Sequence, residues 1–209
     1  MAEQILLDEQ FVGENMNQRL KWFCPPQDWR LNASPAGLAV ITARNTDFWQ
    51  NTHYGFQPDN GHLLYMDVSG DFRVTAKVRS QPANRYDQAG VMIRYSSSTW
   101  VKSSVEYIPD ASSKLGAVVT NRGYSDWSIQ AYTEEEHSLY HRITKQKSTF
   151  YVEYSLDGDV WNLIRMAHLE DAAGTAQAGI YACSPQGEGY EPVFELLRIE
   201  QIDEQTKVY

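Results

Sequence analysis

Hydrophobic and polar residues alternate along most of this chain from residue 60 onward. In GDFRVTAKVRS, Phe72, Val74, Ala76 and Val78 have one parity, and Asp71, Arg73, Thr75, Lys77 and Arg79 have the other. Successive side chains of a strand point to opposite faces, so this pattern predicts a half-buried strand with a solvated outer face. AGVMIRY, WVKSSVEY, LGAVVTN, WSIQAYT, TFYVEYS, VWNLIRM, AQAGIYA and VFELLRI read the same way. Turn-forming clusters separate them: SGD, PAN, IPDASS, NRGYSD, LDGD and SPQGEG. Phe150 to Arg165 predicts a hairpin, because Asp157-Gly158 sits between two alternating runs.

The N-terminal third is less regular. LAVITA predicts a strand, while two prolines interrupt LKWFCPPQDWRL. The longer helical stretches that the pattern allows lie near the termini, and both are weak. Neither a linker nor a repeat divides the chain. We therefore expect a single domain over residues 1–209, with a short polar C-terminal tail after about 200. Many short antiparallel strands at regular spacing imply an all-β jelly-roll sandwich of two antiparallel sheets.

Composition narrows the classes of function. Eighteen basic residues against 27 acidic ones leave a formal net charge of −9. No basic run is present, which argues against nucleic acid as a partner. The longest apolar runs are too short for a membrane helix. The N-terminus MAEQILLDEQFVGEN has acids where a signal peptide would have a basic region. With two cysteines, Cys24 and Cys183, we expect a cytoplasmic protein with reduced thiols. Aromatic residues are abundant, with thirteen tyrosines and six tryptophans, and their polar tips suit half-wet surfaces.

One strand stands out. In WVKSSVEY, Trp100, Lys102, Ser104 and Glu106 share a face. Residues two apart on a strand lie roughly 6.6 Å apart, so Lys102 and Glu106 reach different parts of one ligand. An aromatic plate, a cation, a hydroxyl and a carboxylate in a row suit a sugar, with its CH-rich face and its hydroxyls. The alternative is a solvated strand whose charges are answered across the sheet. A bulge at Ser103-Ser104 would break the parity.

Other residues fall around this row. Arg94 lies among apolar neighbours and is expected either to snorkel or to pair, with Glu106 or Asp126 as partner. Asp126 in SDWS caps a turn or supplies a second carboxylate near Glu106. His62, after a Pro-Asp-Asn-Gly turn, is the functional candidate of a loop that would close over a groove, with Trp49 preceding it. Glu153 reads as solvated or groove-lining. Asp87 reads as a strand-entry acceptor for backbone amides, and Gly90 as a point of close backbone approach. The pair His137 and His141 lacks the zincin glutamate, and one Asp-Gly turn does not make a calcium loop, so no metal or cofactor is expected.

Several phrases together carry a resemblance: DFWQNTHYG, PDNGH, YDQAGVMIR, WVKSSVEY, VVTN with SDWS, VEYSLDGDVW and YACSP. From about Trp22 to Glu200 the chain resembles a family of unknown function whose named member is called a regulation-of-enolase protein. The resemblance implies a concanavalin A-like sandwich with a concave face, a fold in which carbohydrate binding is common. It supplies no catalytic residues, and fold alone does not fix function.

The expected function is binding of a small carbohydrate or sugar-derived metabolite. Trp100, Lys102 and Glu106 form the floor, and Arg94, Asp126 and His62 are further candidates. Lys102 would meet acidic or phosphorylated groups. Two alternatives remain open. A glycosidase needs a second carboxylate, for which Asp126 and Glu153 are available. A protein-interaction module acting on a metabolic enzyme would show a large exposed apolar patch and no groove.

Overall fold

The computed structural model describes residues 4–53, 55–133, 138–203, 205–206 and 208, without the side chain of Ala33. Fifteen strands run through them and no helix does. In chain order they are β1 Gln4–Glu9, β2 Lys21–Phe23, β3 Asp28–Ala33, β4 Ala36–Ile41, β5 His62–Ser69, β6 Phe72–Arg79, β7 Gln88–Ser96 and β8 Thr99–Glu106. Then follow β9 Ser113–Asn121, β10 Tyr124–Tyr132, β11 Ser138–Gln146, β12 Thr149–Ser155, β13 Asn162–His168, β14 Thr175–Cys183 and β15 Val193–Gln201.

Two antiparallel sheets form a sandwich. One runs β13-β12-β11-β6-β15-β4-β3, with β1 added to β15; the other runs β10-β9-β8-β7-β14-β5-β2. The predicted faces are the observed ones: Phe72, Val74, Ala76 and Val78 are buried between the sheets, opposite Ala89, Val91 and Ile93. The hairpin of β12 and β13 turns at Gly158, whose φ of 87° is left-handed. Asp157 Oδ1 accepts the amides of Asp159 and Val160 there, so it caps the turn.

The terminal segments differ from the sequence expectation. Residues 4–9 are an edge strand on β15, because β15 has a free ladder of hydrogen-bonding groups that outweighs weak helical propensity. The C-terminal tail packs back onto the sandwich: Ile202 is buried and donates its amide to Asp71, and Thr206 O accepts from Gln146.

The face of the second sheet that points away from the core is not open. The segment between β4 and β5 crosses it and is sewn down at several points. Phe48 bridges Asp59, Trp49 N donates to Pro58 O, and Gln50 exchanges hydrogen bonds with Ser125 on β10. Asn51 Nδ2 reaches Gly123 O at 2.7 Å. Phe48 is fully buried within a second apolar cluster with Leu63, Met92, Trp100, Val118, Tyr181 and Cys183. Gly61 makes this possible, since a Cβ there would collide with the Phe48 ring and with Cys183 Sγ.

Candidate functional site

The row on β8 keeps its parity. No bulge interrupts Ser103-Ser104; the ladder slips instead between Arg94 and Ser96. Trp100, Lys102, Ser104 and Glu106 lie opposite Arg94, Met92, Gly90 and Gln88 on β7, and opposite Thr120, Val118, Gly116 and Lys114 on β9. Gly90 allows the backbone of β8 to approach closely, because a Cβ there would strike the Ser103 carbonyl.

The segment carrying Phe48 divides this row. At its start, Trp100 is fully buried, with its ring 6.2 Å from Phe48, and its indole N–H donates to Ser97 O. It is therefore core beneath the covering segment, not the exposed stacking plate expected from sequence. At the other end a cavity of about 530 Å³ remains, a size suited to a small organic ligand. Lys102, Glu106 and Gln88 form part of its wall. Asp47, Trp49, Phe56 and Gln57 come from the covering segment, Tyr86 from the turn before β7, Trp127 from β10, and Gln186 from the loop after β14.

The polar groups of this cavity are unequally satisfied. Lys102 Nζ is only 2% exposed; it donates to Gln88 Oε1 at 2.8 Å and lies 3.3 Å from Asp47 Oδ1. The rings of Trp100 and Tyr181 flank it at 5.8 and 5.3 Å. Gln88 Oε1 also accepts from Tyr181 Oη, and its amide nitrogen donates to Tyr86 O. Lys102 is thus already paired inside the protein, which corrects its expected role as a receiver of acidic groups. Glu106 is the opposite case. Its carboxyl is buried and accepts no hydrogen bond among the described residues. Burial pushes it up to about 7; Lys102 acts against that shift and Asp47 adds to it.

The other sequence candidates lie elsewhere. Arg94 pairs with Asp59 at 2.7 Å, bonds Gln177 and stacks 4.3 Å over Phe23, so neither Glu106 nor Asp126 is its partner. Its function is to anchor the covering segment. His62 is a buried structural residue: Nε2 accepts the Ala43 amide at 2.9 Å and Nδ1 faces Cys24 O at 2.6 Å. Burial lowers its pKa, with the Cys24 bond acting against this, and the neutral ring is the form those contacts require. Asp126 is exposed and pairs with Arg165 at 3.1 Å beside a second, more open depression that shares Trp49 and Trp127 with the cavity. Glu153 is neither solvated nor groove-lining. It is buried on the other sheet, gripped by Arg142 at 2.8 and 2.9 Å, and the guanidinium stacks 3.7 Å over Trp161.

The reading of Asp87 matches the geometry. Asp87 accepts the amides of Ala83 and Asn84 and the Ser184 hydroxyl. Cys24 and Cys183 are free thiols whose pKa values burial raises. His141 is buried between the sheets; His137 lies outside the described residues. No cluster of three or more metal-binding side chains occurs among the described residues, and no helix of theirs is long and apolar enough to cross a membrane. Asp47 was missed by sequence reasoning, although it adjoins the aromatic pair Phe48-Trp49 that marks the covering segment.

Comparison with known proteins places the chain. The family model described as Protein of unknown function (DUF1349) matches residues 22–202. The chain belongs to this family. It is 34% identical over 157 residues to Regulation of enolase protein 1 of Saccharomyces cerevisiae, covering 75% of this chain and 78% of that protein. A functionally unknown protein from Saccharomyces cerevisiae superposes with a TM-score of 0.81 at 29% identity, over 88% of this chain and 97% of that one. A xylan β-1,4-xylosidase from Bacillus halodurans superposes with a TM-score of 0.73 at 18% identity, over 93% of this chain but 39% of the enzyme. At that identity the likeness to the xylosidase concerns the fold alone.

Proposed function

We propose that this family member binds a small carbohydrate or sugar-derived metabolite in the cavity between the covering segment and the outer face of β7 and β8. The observation that carries this reading is Glu106, a buried carboxyl without a hydrogen-bond partner among the described residues, on the wall of a ligand-sized cavity. A ligand hydroxyl could donate to this carboxyl from the cavity, a bond that the described protein groups do not supply. Trp49, Phe56, Tyr86 and Trp127 supply rings for the CH face of a sugar, and Asn45, Gln57 and Gln186 supply amides for its rim.

The test is a thermal-stability panel of neutral sugars, including xylose and xylo-oligosaccharides, with sugar acids and sugar phosphates. Ligand at a hundredfold its Kd adds about 2.7 kcal/mol, and each kcal/mol moves a domain of this size by roughly 2–4 °C. A shift present in wild type and lost in Glu106→Gln is the expected result. A shift of equal size in both proteins sinks the assignment to this cavity. If no compound acts, the partner to test is a metabolic enzyme, enolase first, on the strength of the relative's name.

A second reading has its own support. Asp47 is a second carboxylate in the same cavity, close enough to raise the Glu106 pKa. A carboxyl near 7 suits a general acid, and a second carboxyl in the same cavity suits a nucleophile or base, which is the pairing of glycoside hydrolysis. Release of nitrophenol from aryl glycosides, abolished in both Glu106→Gln and Asp47→Asn, would establish it; equal rates in wild type and variants would exclude it.

A further inference from the structure

The charge balance of the cavity goes further than its size. Among the described residues, its wall holds two carboxyls, Asp47 and Glu106, and one cation, Lys102. Lys102 is committed to Asp47 and Gln88. The pair Lys102–Asp47 is close to neutral as seen from the cavity, which leaves Glu106 as the less compensated charge, offset only in part by Lys102. Groups facing it from other elements do not compensate it. Lys114, opposite on β9, forms no ion pair with it, and Tyr181 and Cys183 on β14 are themselves held neutral by burial. Arg85 lies outside the wall, 5.9 Å over the Tyr86 ring. Four aromatic residues, Trp49 and Phe56 from the covering segment, Tyr86 and Trp127, share the wall with neutral amides and prolines. Rings present a negative face to a cation, and a carboxylate among rings is the arrangement that recognises organic ammonium ions.

We infer that the ligand of this cavity carries a positive charge, as an amino sugar or another small organic ammonium, and that its charged group is received by Glu106 within the aromatic wall. The inference rests on the reading that this cavity is a ligand site. Acidic and phosphorylated sugars would be repelled, since Lys102 has no free charge to offer them.

Isothermal titration of the full chain with D-glucosamine, D-glucose, glucose 6-phosphate and choline tests it. Choline has no titrating proton, so its pH dependence reports the protein. Glucosamine is expected to bind about fivefold or more tighter than glucose at pH 7, where its ammonium and the Glu106 carboxylate are both populated, glucose 6-phosphate not at all, and Glu106→Gln to lose that preference. For choline, whose charge is fixed, binding requires the ionised carboxylate, so wild-type affinity should fall roughly tenfold from pH 8 to pH 6, and that of Glu106→Gln should not. Circular dichroism of Glu106→Gln verifies that it is folded. Equal affinity for glucose and glucosamine overturns the charge inference while leaving the carbohydrate reading intact. Choline binding without any sugar binding keeps the charge inference and ends the carbohydrate reading. No binding of any probe at tens of millimolar overturns both.

Discussion

Phe48 stands edge-on to Trp100, with the ring centroids 6.2 Å apart and the planes at 63°, and neither ring is exposed. This contact turns an outward sheet face into a second core and leaves a cavity only at the far end of β8. Phe48 also meets Tyr181 at 6.1 Å, so its removal empties the centre of the cluster. Truncating a buried Phe costs about 3–5 kcal/mol. Phe48→Ala should therefore lower Tm by roughly 6–20 °C for a chain of this size. Calorimetry that found a change below about 2 °C would show that the covering segment is held by its hydrogen bonds and not by this ring.

The ion pair of Lys102 and Asp47 makes a different prediction. Lys102→Met keeps the stem but strips Asp47 Oδ1 and Gln88 Oε1 of a charged donor. Breaking a buried pair from one side costs about 3–5 kcal/mol; Asp47 retains some solvent contact, so about 3 is expected. Lys102→Met combined with Asp47→Asn should recover at least about 1 kcal/mol in a double-mutant cycle measured by urea unfolding. Strict additivity would mean that the two charges do not stabilise one another.

How much of this could be read in the chain follows from the range of each interaction. Alternation assigned Val74 and Val78 to the core and kept Lys102 and Glu106 on one face, because strand parity is local. Asp87 was readable because the donors to its carboxylate are its own neighbours' amides. Trp100 was misjudged because its cover, Phe48, comes from an irregular segment with no period to reveal it. Arg94 and Glu153 depend on partners, Asp59 and Arg142, that only chain crossing or sheet register brings near. Asp47 gained meaning only once that same segment was placed over β8.

Glu106 contributes a stability term that falls as pH rises. Its folded pKa is about 7 against an ordinary value of 4.5, so the native state holds a proton that the unfolded state has already lost between those values. The unfolded state then binds fewer protons at this group, and the contribution of Glu106 to stability declines as pH rises from about 4.5 to 7 before levelling. The decline is on the order of 3 kcal/mol. Glu106→Gln should abolish this slope, equalling wild type near pH 4.5 and exceeding it by a comparable amount at pH 8. Urea unfolding at both pH values checks it. A variant less stable than wild type at pH 8 would mean that the carboxylate has a stabilising partner.

His141 governs the acid side with the opposite sign. It is fully buried between the sheets, and desolvation lowers its pKa from 6.5 to about 3. The ring is neutral when folded, while the unfolded chain takes up a proton below 6.5. The unfolded state therefore binds more protons in this window, and stability present above pH 6.5 is lost as pH falls toward 3. The span corresponds to roughly 4–5 kcal/mol. Its only polar side-chain contact among the described residues is a 3.4 Å approach of Nδ1 to the Ser103 hydroxyl, too long to hold a charge. In wild type this loss and the Glu106 gain nearly offset between pH 6.5 and 4.5, so stability is close to level there and falls only below pH 4.5. His141→Leu should remove the acid limb, so that the variant gains stability on acidification from pH 6.5 to 4.5 and holds it below, where wild type loses it. Thermal melts from pH 6.5 to 3 decide the matter, and a variant that tracks wild type across that range would place the acid sensitivity on other groups.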